Sequence, residues 1–324
     1  MSTAVVVGSG PNGLAAAVRL ARAGVDVQVL EAANTIGGGT RSGELTVPGV
    51  IHDLCSAFHP MGIGSPYLAT LDLERYGLNW KWADVDCAHP LDGGDAGLIH
   101  RSIDDTAEGL GPDGRRWKAM FGDIARNYDV LAADLMRPIA NVPRHPLPLV
   151  AFGPRALLPA TVAARWWRTE KAKALFGGVA AHAYYRLDRP ATSAVGLMLT
   201  ASGHRYGWPV AEGGSQSISQ SLASMLLDWG GKIDTGVTVR TGSDIPQADV
   251  VFSIPHPAPR WVSTVTPYRV VLRRPTGSFD EHRQPSRSTS RSTVMFRGPT
   301  PSVPVPAPFT SVDRSKRSQQ TKKT

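Results

Sequence analysis

Apolar and polar positions lay out a strand–helix–strand unit at the start of the chain. Residues 4–7 form an apolar run suited to a strand buried on both faces. Over residues 12–23, Leu14, Val18 and Ala21 recur at helical spacing, and Gly24 suits the left-handed residue that ends a helix. Residues 25–30 read as a second strand closing on Glu31. Ser65 predicts a capped helix over 65–76, stopped by Gly77. Residues 79–82 and 97–100 have strand character, with a turn at Asp92-Gly93-Gly94. Ser102 caps a short helix ending at Gly109 or Gly111. A single long helix follows over 115–136, with Trp117, Phe121, Ile124, Tyr128 and Leu131 on its core stripe. Residues 137–160 are rich in Pro, Leu and Ala.

The turn between the first strand and helix carries chemistry. Gly8, Gly10 and Gly13 form G-x-G-x-x-G where strand must become helix. Gly8 permits the tight turn, Gly10 lets the backbone approach a pyrophosphate, and Gly13 lets helix and strand pack closely. Pro11 suits a first helical turn, and the helix start from Asn12 offers free amides and a positive dipole end to phosphates. Glu31 stands eighteen positions after Gly13, placed to accept hydrogen bonds from an adenosine ribose and to repel a 2′-phosphate. The fold class that follows is α/β, with a Rossmann-like dinucleotide-binding domain.

A second glycine cluster, Gly37-Gly38-Gly39, closes on Arg41, a cation available to a phosphate or ribose oxygen. A plain NAD domain would continue into another helix and strand here. This order of motifs resembles the FAD-binding start of the phytoene desaturase and amine oxidase superfamily. Residues 48–60 (PGVIHDLCSAFHP) resemble the segment after the flavin loop in phytoene-dehydrogenase-like oxidoreductases, the branch that includes the pyridine nucleotide-disulfide oxidoreductase domain-containing protein 2 group. Residues 207–215 (GWPVAEGGS), running into a helix that ends at Gly230-Gly231, are similar to that family's second signature, which implies strands over 232–234, 237–240 and 248–252 returning to the flavin domain. The resemblance extends to about residue 268. It implies FAD as cofactor, contact between the adenosine and the backbone around Val237, and hydride transfer from a C–H or C–N bond to the flavin. The substrate it implies is apolar, with isoprenoid or carotenoid desaturation as the leading class. Family members continue well over a hundred residues further, so the resemblance implies a chain incomplete at its C-terminus.

The implied domains are an FAD-binding domain over 1–64 and 207–268, an inserted α+β substrate domain over 65–206, and a tail over 269–324. The chain has 324 residues and a formal charge of +8, but the tail alone holds 12 Lys/Arg against 3 Asp/Glu. The basicity therefore belongs to the tail, where 23 of 56 residues are Ser, Thr or Pro, a composition that predicts disorder. It also reads as an out-of-frame translation of a GC-rich gene would. Without interleaved aromatics or a recognition fold, nucleic acid is not an expected partner. Cys55 and Cys87 suit reduced thiols in the cytoplasm. No apolar run reaches the roughly 20 residues of a membrane span. Trp166, Trp167 and Arg168 among Arg155, Arg165, Lys171 and Lys173 fit either a peripheral membrane contact or a helix with a snorkelling basic rim.

No metal-ligand spacing and no nucleophile motif is present. His52 and His59 flank the flavin loop and suit structural hydrogen bonding as well as catalysis. Tyr184, Tyr185, His204 and Tyr206 are candidates to line a substrate pocket. No catalytic side chain is assigned, since a flavin needs orientation and water exclusion more than a nucleophile. The alternatives are an NAD-dependent Rossmann dehydrogenase and a non-catalytic flavin-binding protein. The oligomeric state is not legible.

Overall fold

Thr3–Val7 (β1), Pro11–Ala21 (α1) and Asp26–Glu31 (β2) form the opening unit of the computed structural model, which describes residues 2–137, 142–253 and 269–272. Leu14, Ala17, Val18 and Ala21 are buried along one stripe of α1, as the period of the sequence requires. Gly24 is left-handed (φ +79°), and its amide returns to the Ala21 carbonyl, ending the helix.

The remaining elements are Ser42–Glu44 (β3), Ile51–Asp53 (β4), Pro60–Ile63 (α2), Trp80–Lys81 (β5), Cys87–Pro90 (β6), Ala96–Ile99 (β7) and Ile103–Gly109 (α3). They continue as Gly114–Arg126 (α4), Tyr128–Leu135 (α5), Pro146–Ala156 (α6), Ala160–Ala163 (α7), Glu170–Ala180 (α8), Thr192–Tyr206 (α9) and Val210–Ala211 (β8). Gln216–Asp228 (α10), Lys232–Thr235 (β9), Val250–Ser253 (β10) and Arg269–Leu272 (β11) complete them.

The principal sheet has the order β11-β10-β1-β2-β9. β1, β2, β9 and β10 run parallel, with Ala4 opposite both Val27 and Val250, and β11 is antiparallel to β10. Ala4, Val6, Val27 and Val29 face α1 and α10 in a core of small aliphatic side chains that includes Leu14, Leu222 and Leu226. Val5 and Leu30 point the other way, into a small cluster with Ala248. A second large core lies among α4, α5, α8 and α9 and is aromatic: Trp117, Phe121, Tyr128, Trp167 and Phe176 are fully or almost fully buried in it. Hairpins β3–β4 and β6–β7 and the pair β5–β8 are separate two-stranded ribbons.

Four elements differ from the sequence expectation. The helix over 115–136 is two helices that meet at Asn127, whose backbone (φ −98°, ψ 15°) leaves helical values while its amide (3.0 Å) and side chain (2.9 Å) both donate to the Asp123 carbonyl. Residues 65–76 form two 3₁₀ turns, Leu68–Thr70 and Glu74–Tyr76, whose Leu71, Leu73 and Leu78 neighbours pack on the sheet-side core. Residues 237–240 are not a strand; the chain there crosses the end of β2. The sheet also takes strand β11 from residues assigned by sequence to the tail, and the rest of that tail lies outside the described residues.

Candidate functional site

The carboxyl ends of β1 and β2 create the site. Gly8 turns the chain out of β1 with φ +104°, and its amide donates to the Leu30 carbonyl (2.8 Å), keeping the two strand ends together. Gly10 enters α1 from an extended conformation, Pro11 occupies the first helical position, and the Leu14 amide closes the first helical bond onto the Gly10 carbonyl (3.0 Å). The amides of Asn12 and Gly13 precede that ladder, as in any helix start, and Gly13 is buried.

The second glycine cluster packs directly against the first. Gly38 is left-handed (φ +53°), and a Cβ there would stand 3.0 Å from the Gly10 Cα. Gly37 (φ +118°) donates its amide to the Ser9 carbonyl (3.1 Å), and a Cβ on it would meet the Gln216 amide group at 3.0 Å. Gly39 has the Cys55 sulfur nearby and accepts from the Ser56 amide (3.1 Å) and hydroxyl (2.9 Å). Bare backbone therefore meets bare backbone at the helix start.

Glu31, at the end of β2, is buried and fully hydrogen-bonded. Its Oε2 accepts from the Ser9 amide (2.9 Å) and hydroxyl (2.6 Å), and its Oε1 from the Ala33 amide (2.9 Å) and Arg41 Nη2 (3.2 Å). Burial works to raise its pKa, but the Ser9 and Ala33 hydrogen bonds and the Arg41 charge hold it below the ordinary carboxylate value. Arg41 also donates to the Thr35 carbonyl from Nη2 (2.7 Å) and Nε (3.2 Å). Its contact with Glu31 is the longest of the four on that carboxylate.

The second signature clamps this loop. Gly214 (φ +101°) lies so close to β3 that a Cβ would come within 2.6 Å of Ser42 Oγ. Asp53 Oδ1 accepts from Ser42 Oγ and the Ser215 amide, both at 2.7 Å, while Gln216 Nε2 donates to the Ile36 carbonyl (3.1 Å). Ser215 Oγ donates to the Ser56 carbonyl (2.7 Å), which leaves His59 Nε2 as the donor in its 2.7 Å bond to Ser215 Oγ. Burial lowers the pKa of His59, with the Asp53 charge opposing. His59 is thus a structural member of the clamp, whereas His52 bonds Thr46 Oγ1 (2.8 Å) out on the hairpin.

Val237 comes to the same strand end: its amide donates to the Glu31 carbonyl (2.8 Å), and the Gly236 amide donates to the Ala33 carbonyl (2.9 Å). Thus Gly8, Gly10, Pro11, Asn12, Gly13, Glu31, Gly38, Gly39, Arg41 and Val237 gather around two adjacent strand ends. Sequence reasoning gave no role to Ser9, Ser42, Asp53, Ser215 or Gln216. Ser9 sat in a variable position of the fingerprint; the others needed the β3–β4 hairpin to be placed. The pocket candidates do not converge. Tyr184 is exposed, and His204 is buried in the aromatic core, accepting from Trp117 Nε1 (2.9 Å). A shallow cleft of about 500 Å³ lies beside Gln28, Leu30, Ile233, Val237, Asp244 and Pro246 on the other face of the sheet. It holds no glycine turn, and the convergence of amides, helix start and carboxylate places the candidate site at the strand ends. Among the described residues, no group of three or more His, Cys, Asp or Glu is arranged to hold a metal.

Residues 6–71 match the NAD(P)-binding Rossmann-like domain family. The matched segment contains both glycine clusters, Glu31 and Arg41. No curated protein sequence matches the chain. Among solved structures, a protein from Pyrococcus furiosus is similar at TM-score 0.48 and 19% identity, covering 78% of this chain and 58% of its own. An oxidoreductase from Methanosarcina mazei is similar at TM-score 0.47 and 20% identity, covering 78% and 58%. Cyclohexylamine oxidase from Brevibacterium oxydans is similar at TM-score 0.46 and 19% identity, covering 73% and 51%. The chain thus spans a little over half the length of these structures.

Proposed function

We propose that the ends of β1 and β2 hold FAD and that the chain works in a flavin-dependent oxidoreductase of the dehydrogenase type. The observation that carries this reading is the packing of Gly38 on Gly10, which joins a second glycine loop to the dinucleotide turn. In that arrangement the amides of Asn12 and Gly13 face the pyrophosphate, Glu31 takes the adenosine ribose, and Arg41 moves from Glu31 to a phosphate or ribose oxygen. The backbone at Val237 meets the adenosine, and that of Gly39 runs beside the flavin half. Bound FAD supplies the hydride acceptor; the chain itself binds, orients and excludes water. Glu31, held ionised by its donors, disfavours the 2′-phosphate of NADP.

The substrate reading is an apolar molecule of isoprenoid or carotenoid type, oxidised at a C–H or C–N bond. It is supported by the exposed apolar side chains of Leu45, Val47, Val50, Ile51, Leu54 and Phe58 on and beside the hairpin that touches Gly39. Calorimetric titration of the full chain with FAD, NAD and NADP tests the cofactor. FAD is expected to bind tightest and to weaken in Glu31→Ala, whose lost charged hydrogen bonds cost about 1–3 kcal/mol. Tight NADP binding without detectable flavin affinity overturns the reading.

A further inference from the structure

The chain returns from the aromatic helices toward the sheet through Tyr206-Gly207-Trp208, and residues 82–86 grip that crossing from both sides. Gly207 has φ +81° and ψ −177°, a conformation open to glycine and closed to other residues. A Cβ on it would come within 2.5 Å of the Trp82 ring and 3.3 Å of Asp86 Oδ1. Before it, Trp82 Nε1 donates to the Tyr206 carbonyl (2.7 Å); after it, the Trp208 amide donates to Asp86 Oδ1 (3.0 Å). The Asp86 amide in turn donates to the Ile99 carbonyl (2.8 Å) at the end of β7. Beyond the crossing, the Pro209 carbonyl accepts from the His59 amide (2.9 Å), and β8 pairs with β5. The crossing therefore leads straight into the clamp at Ser215.

One half of this grip is incomplete. Asp86 is 7% exposed, and its Oδ2 is buried without a hydrogen-bond partner among the described residues. An ionised carboxylate there costs more than a neutral carboxyl, because the charge loses its hydration and gains nothing at that oxygen. The titratable and charged groups facing it are His100 and Arg101, just after β7, and the Cys87 thiol at the start of β6. From the crossing it meets the Trp208 amide and the Gly207 backbone. His100 is held in place, its Nδ1 donating to the Asp84 carbonyl (3.1 Å). Arg101 is exposed and rests over the Trp82 ring, 5.8 Å from the centroid, a cation able to leave one side of the crossing for the other. Burial raises the pKa of Asp86, opposed by the Trp208 hydrogen bond and by the Arg101 and His100 charges. With a raised folded-state value, the stability gained from the proton is complete at low pH and is lost as pH rises through that value.

We propose that Asp86 is a proton-operated latch on the crossing at Gly207. With the proton on the carboxyl, Trp82, Gly207 and Trp208 close on one another and Arg101 stays on the Trp82 ring. When the proton leaves for solvent, Arg101 swings from the ring to Asp86, Trp82 loses its cover, and the crossing loosens. The latch belongs to the chain itself and stands independently of which dinucleotide the strand ends hold.

The test is fluorine NMR of the full 324-residue chain labelled with 5-fluorotryptophan, titrated from about pH 4 to about pH 8. Trp82→Phe and Trp208→Phe assign the two resonances of interest. Both are expected to shift with one shared midpoint above the ordinary carboxylate range. In Asp86→Asn, which imitates the protonated carboxyl, both should stay at their acid positions throughout. In Arg101→Gln the shared midpoint should rise by roughly half a unit, because a cation favouring ionisation is gone. His100→Gln should keep the transition, which separates the carboxylate from the histidine beside it. Hydrogen exchange of the wild-type segment 206–214 needs no variant and should accelerate across the same midpoint by about tenfold beyond the intrinsic effect of pH. Fixed Trp82 and Trp208 resonances, separate midpoints for the two, or a transition that survives Asp86→Asn overturns the proposal. So does a transition that vanishes in His100→Gln, or exchange over 206–214 that follows pH alone.

Discussion

The two large cores are built on different principles. The sheet-side core is made of Ala, Val and Leu, and its shape is set by backbone: left-handed glycines, a parallel register and a helix pressed against strands. The core among α4, α5, α8 and α9 is set by side chains. There the Trp117 ring lies 4.4 Å from Phe121 and 5.5 Å from Trp167, and His204 fills the gap with a hydrogen bond. Backbone rules act over a few residues and leave a signature in the sequence. Aromatic packing acts across eighty-seven residues, the separation of Trp117 from His204, and the sequence marks the buried stripe but not the partner that meets it.

The largest test of that difference is Trp117→Ala. It opens a void in the aromatic core and strands His204 Nε2, so a loss of about 3–5 kcal/mol is expected in denaturant unfolding. Dinucleotide affinity of the protein that remains folded should be unchanged; a parallel drop in affinity would show that the two cores are not independent. Gly38→Val tests the opposite half. The added side chain meets the Gly10 Cα at a left-handed position, so dinucleotide affinity should fall by at least about a hundredfold, some 3 kcal/mol. Circular dichroism should stay near wild type, and the milder Gly214→Val should act in the same direction.

Titration sharpens the contrast. Burial lowers the pKa of His204 to about 4, below its unfolded value of 6.5. Its stabilising contribution is therefore complete above pH 6.5 and is lost as pH falls from there toward about 4. Between about pH 7.5 and pH 5 the wild-type chain should lose about 2 kcal/mol through this group, and His204→Gln should lose less. His59 pulls in the same direction within the clamp, so His59→Gln is the matching control. Glu31 has the same sense in a more acidic window: its lowered pKa contributes stability above the ordinary carboxylate value, and that contribution goes only as pH falls through its depressed value. An identical pH profile for His204→Gln and wild type would count against this assignment. The smallest effect is Ser9→Ala. Removing one of two donors on Glu31 Oε2 should weaken dinucleotide binding about tenfold, with Ser9→Thr restoring it.

Much of the sheet-side architecture was legible. The strand–turn–helix–strand order, the Gly24 cap and, in the other core, the burial of the Trp117 stripe follow from spacing. The misreadings have physical causes. Asn127 interrupts a good helical period by leaving helical backbone angles at one residue, which spacing does not show. Residues 65–76 obey helical spacing but fold back on the sheet as tight turns. The resemblance implies a strand over 237–240, yet the Val237 amide is taken by the Glu31 carbonyl at the end of β2. The clamp from Asp53 through Ser215 to His59 joins residues 162 and 156 apart, beyond the reach of any local pattern.

The clasp between Thr3 and Asp249, a 2.9 Å bond spanning 246 residues, sets a timetable for synthesis. At the usual rate of about 5–20 residues per second, β1 waits on the order of 10–50 seconds before β10 exists to cover its open edge. During that interval the helices around Trp117, joined by nearer contacts, can collapse. The valine-rich first two strands pair with each other but keep both outer edges open, so this interval is when edge-to-edge pairing with other chains competes with the fold.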